Sequence, residues 1–102
     1  MHPLTMLQDI VESLGVEMLE YDFRSDLFGS GFVVYSKHGQ SVRIVWDGKD
    51  GWGFLQTLAP DGFWSDASPL LTEGDLEGVP QNHAKIAEFR QAAIALLSAG
   101  AA

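Results

Sequence analysis

Three runs of β-branched and aromatic residues follow one another in FVVYSKHGQSVRIVWDGKDGWGFLQTL, residues 32–58. Short segments rich in glycine and polar residues separate these runs. Such runs favour β-strands, and connections of this length join antiparallel neighbours. The middle of the chain is therefore predicted to form three consecutive antiparallel strands. The runs are Phe32–Lys37, Ser41–Trp46 and Trp52–Leu58, and the separating segments are His38–Gln40 and Asp47–Gly51.

The middle run carries apolar side chains on both faces of the predicted sheet. Val42, Ile44 and Trp46 alternate with Arg43 and Val45. Successive side chains of a strand point to opposite faces, so the first three residues share one face. We expect one of the two faces to be covered by helices.

Amphipathic helices are predicted at both ends of the chain. Apolar residues near the start recur at spacings of three and four, with Thr5 as the candidate N-cap and Gly15 as the stop signal. The same period recurs near the end, between the candidate N-cap Asn82 and the terminating Gly100. The apolar positions are Leu4, Leu7, Ile10, Val11 and Leu14 in the first helix and Ile86, Phe89, Ala93, Ile94 and Leu97 in the last.

A further strand is predicted directly after the first helix. Leu19, Tyr21 and Phe23 alternate with Glu20 and Asp22, which indicates one buried and one solvated face. The 102 residues are expected to form a single domain, residues 1–102. Its predicted class is α+β, with an antiparallel sheet of three to five strands flanked by an N-terminal and a C-terminal helix.

The charge balance restricts the classes of partner. Fourteen acidic and six basic residues leave a formal net charge of −8. Nucleic acids and anionic membranes are disfavoured, because phosphate groups are bound by clustered lysine and arginine. A basic protein is the expected partner. The start of the chain lacks the basic and apolar regions of a signal peptide, and no stretch has the length of a membrane span, so we expect a cytoplasmic protein.

Two aromatic and acidic segments are the candidate binding sites. The first is WDGKDGW, residues 46–52, which is interpreted either as a structural hairpin turn or as a pair of aromatic anchors beside two carboxylates. The second lies within the irregular stretch 59–81, which contains acidic residues and no lysine or arginine and is interpreted either as a short extra strand or turn or as a binding loop. Trp64 in that stretch is interpreted either as part of the core or as an interface anchor. The candidate residues are Trp46, Asp47, Asp50, Trp52, Asp61, Trp64, Asp66, Glu73, Asp75 and Glu77.

Catalysis and cofactor binding are not expected. His2, His38 and His83 belong to no local metal-ligand motif, and the chain has no cysteine. Ser30 lies between two glycines, but the surrounding pattern is loop then strand, unlike a nucleophile elbow. We therefore predict no enzyme activity, no metal and no cofactor. The alanines of the last helix leave room for a close contact with a second copy, so a homodimer stays open.

A small, acidic, cysteine-free α+β chain of this organisation resembles the bacterial immunity proteins of polymorphic toxin systems. The residues that carry the resemblance are the amphipathic first helix, the strand run with the segment 46–52, and the closing helix. The resemblance implies a non-enzymatic inhibitor that binds a cognate toxin, often a basic nuclease. It also implies that the acidic stretch from Asp61 to Glu77 forms the electrostatic surface and that tryptophans form the packing anchors.

Two other functions stay open. Acidic α+β secretion chaperones, which act as dimers that hold an effector segment, are similar in size, charge and early amphipathic helix. They differ in placing a helix between the middle strands, where this chain shows no helical pattern. The third possibility is a small enzyme or ligand-binding domain with a pocket between the sheet and the irregular stretch. Convergent polar groups in a concave site would distinguish it.

Overall fold

The computed structural model describes residues 2–68, 70–76 and 83–98. Helices and strands occur in the order α–β–β–β–β–β–β–α–α, an α+β arrangement that confirms the predicted fold class. Their bounds are α1 (Pro3–Glu12), β1 (Glu17–Arg24), β2 (Ser30–Lys37), β3 (Gln40–Asp47), β4 (Trp52–Leu58), β5 (Trp64–Asp66), β6 (Leu71–Thr72), α2 (Glu73–Leu76) and α3 (His83–Ser98).

The described residues form one antiparallel sheet of six strands, in which β1 to β5 are neighbours in chain order. The three predicted central strands are confirmed as β2, β3 and β4. The short strands β5 and β6 both pair with β4, at successive positions along it. The stretch predicted to be irregular therefore extends the sheet at its far edge.

One face of the sheet forms the hydrophobic core with the helices. Val33, Ile44 and Leu55 lie opposite one another on β2, β3 and β4, and all three are fully buried. Each described helix contributes to the same core cluster. Its helical members are Leu4, Leu7, Val11, Leu76, Phe89, Ala93 and Leu97. The prediction that helices cover one face is confirmed, and α1 and α3 lie on the same side.

Two glycines let α1 lie close to the sheet. A Cβ atom at Gly31 would lie 2.9 Å from Leu4 Cδ2, and one at Gly53 would lie 2.6 Å from Leu7 Cδ1. Both distances are shorter than Cβ atoms adopt in proteins, so a larger residue would displace these leucine side chains. At Gly31 the Cβ atom would also lie 2.6 Å from the Asp22 carbonyl oxygen of β1. These glycines are required by close packing.

Helix α1 begins earlier than the sequence indicates. Pro3 occupies the first turn, and His2 is the N-cap, with its Nδ1 accepting a hydrogen bond of 3.0 Å from the Leu4 backbone N–H. The prediction of Thr5 as the cap is wrong, because proline suits the first helical position, where its missing N–H costs nothing. The caps predicted for the last helix, Asn82 and Gly100, lie outside the described residues.

The predicted buried face of β1 is also wrong. Leu19 is 55% exposed and Tyr21 is 53% exposed, although Tyr21 pairs with the buried Val33. The reason lies in the strand order: β1 is the edge of the sheet, whereas α1 and α3 contact β2, β3 and β4. Alternation in the sequence indicates two faces, but burial depends on whether a helix reaches that strand.

Candidate functional site

The side of the sheet away from the helices forms a surface that we call the open face. Its side chains alternate with those of the core, as the strand pairing requires. Trp52 pairs with Asp47, and Trp64 pairs with Leu58, so both tryptophans belong to it. The open face includes Glu20, Asp22, Arg24, Phe32, Val34, Arg43, Val45, Asp47, Trp52, Phe54, Gln56, Leu58, Trp64 and Asp66.

Arg43 lies at the centre of the open face between two aromatic rings. Its guanidinium carbon is 4.6 Å from the ring centroid of Trp64 and 5.4 Å from that of Phe32. These are cation–π distances, and the planar guanidinium suits stacking. Arg43 Nε also donates a 2.8 Å hydrogen bond to Gln56 Oε1. Side chains of four strands, β2 to β5, are thereby held in one arrangement.

The polar network around Arg43 continues to the edge of the sheet. Gln56 Nε2 donates a 3.0 Å hydrogen bond to Asp66 Oδ1 on β5. Burial lowers the pKa of the Arg43 guanidinium, and the carboxylate of Glu20 acts in the opposite direction. The guanidinium nevertheless keeps its proton at neutral pH, because its pKa in water lies far above that range.

A pocket opens in the open face where β3 runs into the hairpin 47–51. Its volume is about 390 Å³, which falls within the range of small-ligand clefts. Phe32, Val45 and Phe54 supply apolar lining, and Asp22 and Asp47 supply carboxylates. The pocket is therefore both apolar and acidic.

Of the predicted residues in the hairpin, Trp46 belongs to the core. It is 4% exposed and shares the helix-covered face with Val42 and Ile44, so its ring is not accessible to a partner. The sequence contained this signal, because the three residues have the same alternation. Trp52 differs: it lies on the open face and is 37% exposed.

The two predicted aspartates of the hairpin have different surroundings. Asp47 Oδ1 accepts hydrogen bonds of 3.1 Å from the backbone N–H groups of Lys49 and Asp50. This oxygen shapes the turn, as aspartate commonly does. The Asp50 side chain is exposed at the tip. The segment 46–52 is thus a structural turn that also places Asp47 and Trp52 on the open face.

The predicted residues of the stretch 59–81 do not form one surface. Trp64 and Asp66 lie on the open face, whereas Asp61 is exposed in the preceding turn and accepts a 3.1 Å hydrogen bond from the Phe63 N–H. Glu73 is exposed in the first turn of α2. Glu77 lies outside the described residues.

Asp75 is buried and has a structural role. Its Oδ2 accepts a 2.9 Å hydrogen bond from the Thr72 N–H, and its own N–H donates to Thr72 Oγ1 at 3.2 Å. This reciprocal pair is a capping box at the start of α2. Lys85 Nζ lies 3.5 Å from the same carboxylate oxygen. The backbone hydrogen bond from Thr72, aided by Lys85, lowers the pKa of Asp75. With 4% exposure, Asp75 is not accessible to a partner.

The turn between β1 and β2 presents further apolar residues that the sequence analysis missed. Phe28 is 71% exposed and adopts a φ of +59°, which is uncommon for a bulky residue. The turn packs against the hairpin tip, where the Gly48 N–H donates a 2.8 Å hydrogen bond to Ser30 Oγ. A Cβ atom at Gly48 would collide with the Phe28 carbonyl oxygen, so this contact requires glycine.

The described part of the chain contains neither a cluster of metal-ligand side chains nor a membrane-spanning helix. Residues 2–68, 70–76 and 83–98 contain no group of three histidine, aspartate or glutamate side chains placed to hold a metal ion. None of the helices described is both long and apolar enough to cross a membrane. Comparison with protein-family models, with curated proteins and with solved structures finds no match to this chain.

Proposed function

We propose that this chain is a non-enzymatic protein-binding domain that inhibits a cognate basic toxin by direct binding, as immunity proteins do. The open face is the proposed binding surface. The observation that carries the proposal is a sheet face that none of the described helices covers, on which Trp52, Phe54 and Trp64 lie beside carboxylates. Exposed apolar patches with polar rims are typical of protein-interaction sites.

The packing energy of such a complex would come from the aromatic residues. Tryptophan is enriched among the few interface residues that contribute most of the binding free energy. Trp64 is already held by Arg43, and the Trp52 backbone is fixed in β4. The Trp64 ring is therefore preorganised, so little of its conformational entropy is lost when a partner covers it.

The charge of the open face favours a basic partner. Its carboxylates are Glu20, Asp22, Asp47 and Asp66, whereas the described strands place two cations on it, Arg24 and Arg43. The whole chain has a formal net charge of −8, so the open face and the molecule as a whole are both negatively charged. Opposite charge on the partner accelerates encounter and excludes acidic competitors.

The proposal is tested by co-expressing the tagged protein with the products of neighbouring genes and sizing the resulting complex. We expect a one-to-one complex with a folded basic protein whose toxicity to growth is suppressed. Trp52→Ala should weaken the complex at least tenfold, as for an interface hot spot. Tyr21→Ala is the matched control, because Tyr21 is similarly exposed but points to the opposite side of the sheet. Equal losses from both variants would contradict the assignment of the open face.

A dimeric secretion chaperone is the second candidate, and the exposed β1 strand favours it. Among the described strands, β1 pairs with β2 alone, so its outer edge is available to another strand. Met18 and Leu19 add exposed apolar area beside that edge. Such edges are commonly covered by association. A stable dimer at micromolar concentration that binds an unfolded effector segment would support this function over the first.

A further inference from the structure

The pocket on the open face combines two kinds of lining that together define a ligand class. Phe32, Val45 and Phe54 lie on three adjacent strands in direct register, so their side chains form a continuous apolar floor. Asp22 and Asp47 line the same pocket. A long side chain with an apolar stem and a cationic head would satisfy both kinds of lining.

The pocket keeps its negative charge despite one basic residue in its lining. Arg24 also lines the pocket, but its Nε and Nη2 donate hydrogen bonds of 3.3 and 3.2 Å to the two carboxylate oxygens of Asp26. That pair is neutral as a unit. The Arg24 guanidinium is also attracted to Asp22, so the lining is net negative with Asp47 as its carboxylate farther from Arg24 in the sequence.

The same face already binds a guanidinium group within the chain. Arg43 is stacked between Phe32 and Trp64, and its Nε donates a hydrogen bond to Gln56 Oε1. Phe32 thus contributes both to the Arg43 site and to the neighbouring pocket. The pocket offers the same combination of aromatic ring and polar acceptor, with carboxylates in place of the amide.

We propose that this pocket binds one arginine side chain of the partner protein, which acts as the anchor of the complex. The stem would pack on Val45 and Phe54, and the guanidinium would lie between Asp22 and Asp47. Arginine fits better than lysine because its planar head stacks on aromatic rings and forms bidentate bonds with carboxylates. This inference rests on the proposed function and specifies which chemical group of the partner is recognised.

The test is an NMR titration of the full chain with N-acetyl-arginine amide, a probe that needs no known partner. We expect saturable shifts of the backbone amides of Phe32, Val45 and Phe54. N-acetyl-citrulline amide, which has nearly the same shape without the charge, should bind about tenfold more weakly. This comparison uses the unaltered protein, so it does not depend on the folding of any variant.

Two isosteric variants locate the charge that is recognised. Asp22→Asn and Asp47→Asn should each weaken probe binding about three- to tenfold. Asparagine at 47 keeps an oxygen for the N–H groups that Asp47 accepts, so the hairpin is retained. Glu88→Gln, at an exposed position of α3, is the matched control and should leave binding unchanged.

The outcomes separate this inference from the proposed function. Equal binding of the arginine and citrulline probes, or shifts confined to other parts of the chain, would overturn the pocket assignment. If the protein still formed a complex with a basic toxin in that case, the proposed function would stand without this anchor. If the pocket bound the arginine probe but no basic protein were bound, the proposed function would fail and the pocket would remain an arginine site.

Discussion

Tyr35 places its hydroxyl in the helix-covered core, near the polar side chains of Gln8 and Glu12, but none of the described residues forms a hydrogen bond of good geometry with it. Burial raises the pKa of this phenol, and the acidic side chains of Glu12 and Asp9 add to the effect. An unsatisfied polar group in a core lowers stability, because its hydrogen bonds to water are lost on folding. The ring contributes packing, while the hydroxyl opposes folding.

Tyr35→Phe is therefore expected to stabilise the protein by about 1 kcal/mol at neutral pH. The change is measured by urea denaturation, with Tyr21→Phe at an exposed position as the control. The raised pKa means that the folded state favours the protonated phenol, so unaltered protein loses stability as the pH rises above about 10. The Tyr35→Phe variant should lose less stability over that pH range. If the stability of both proteins fell equally with rising pH, the burial of this hydroxyl would be contradicted.

Gly48 provides a second test at a single position. Gly48→Ala should lower the free energy of unfolding by about 1–3 kcal/mol, because the new Cβ would collide with the Phe28 carbonyl and a backbone segment must move. Gly74→Ala is the matched control. Its Cβ would have no neighbour closer than 3.8 Å, and alanine favours the helix of which Gly74 is part, so stability should be unchanged or raised by up to about 1 kcal/mol.

Among the elements, α2 depends most on one side chain. This helix spans four residues, and such a length is not stable by itself. Asp75 closes the capping box with Thr72 and lies beside Lys85 of α3. The same carboxylate therefore connects β6, α2 and α3.

Asp75→Asn should destabilise the protein by about 1 kcal/mol at pH 7, as the loss of a charged cap does. The lowered pKa of Asp75 means that its stabilising contribution is present above the unfolded-state pKa, near 3.9, and is lost as the pH falls through the folded-state value. The difference between the two proteins should consequently shrink below about pH 4. Denaturation curves at pH 3 and 7 measure it, and Glu88→Gln should show no such pH dependence.

The open face and the helical side of the molecule both carry carboxylates. We expect the electrostatic attraction of a basic partner to act mainly through the open face. A triple variant Asp22→Asn, Asp47→Asn and Asp66→Asn removes charge from the open face, whereas Asp9→Asn, Glu12→Gln and Glu88→Gln remove the same charge from exposed helical positions. The first set should lower the association rate with the basic partner about tenfold at low salt, and the second set much less. Stopped-flow measurements that gave equal rates would mean that only net charge steers the encounter.

In the candidate site, local sequence patterns predict the face on which a residue lies but not its contacts with distant strands. Trp46 and Trp52 flank the same turn, yet Trp46 packs in the core and Trp52 lies on the open face. Alternation along β3 was sufficient to place Trp46 beside Val42 and Ile44. The contact of Arg43 with Trp64 had no comparable signal in the sequence. The two residues lie on different strands, and a local pattern does not show how those strands are aligned with each other.

The sequence by itself determined the helices at the two ends, the central antiparallel strands, and the division of each strand into two faces. These features depend on the spacing of apolar residues along the chain and on short connections, both of which are local. Only the tertiary structure decided that β1 is an exposed edge, that both long helices cover the same face, and that Phe32, Arg43 and Trp64 meet on the other. Those outcomes depend on which elements lie side by side, and this is set by long-range packing that no short stretch of sequence encodes.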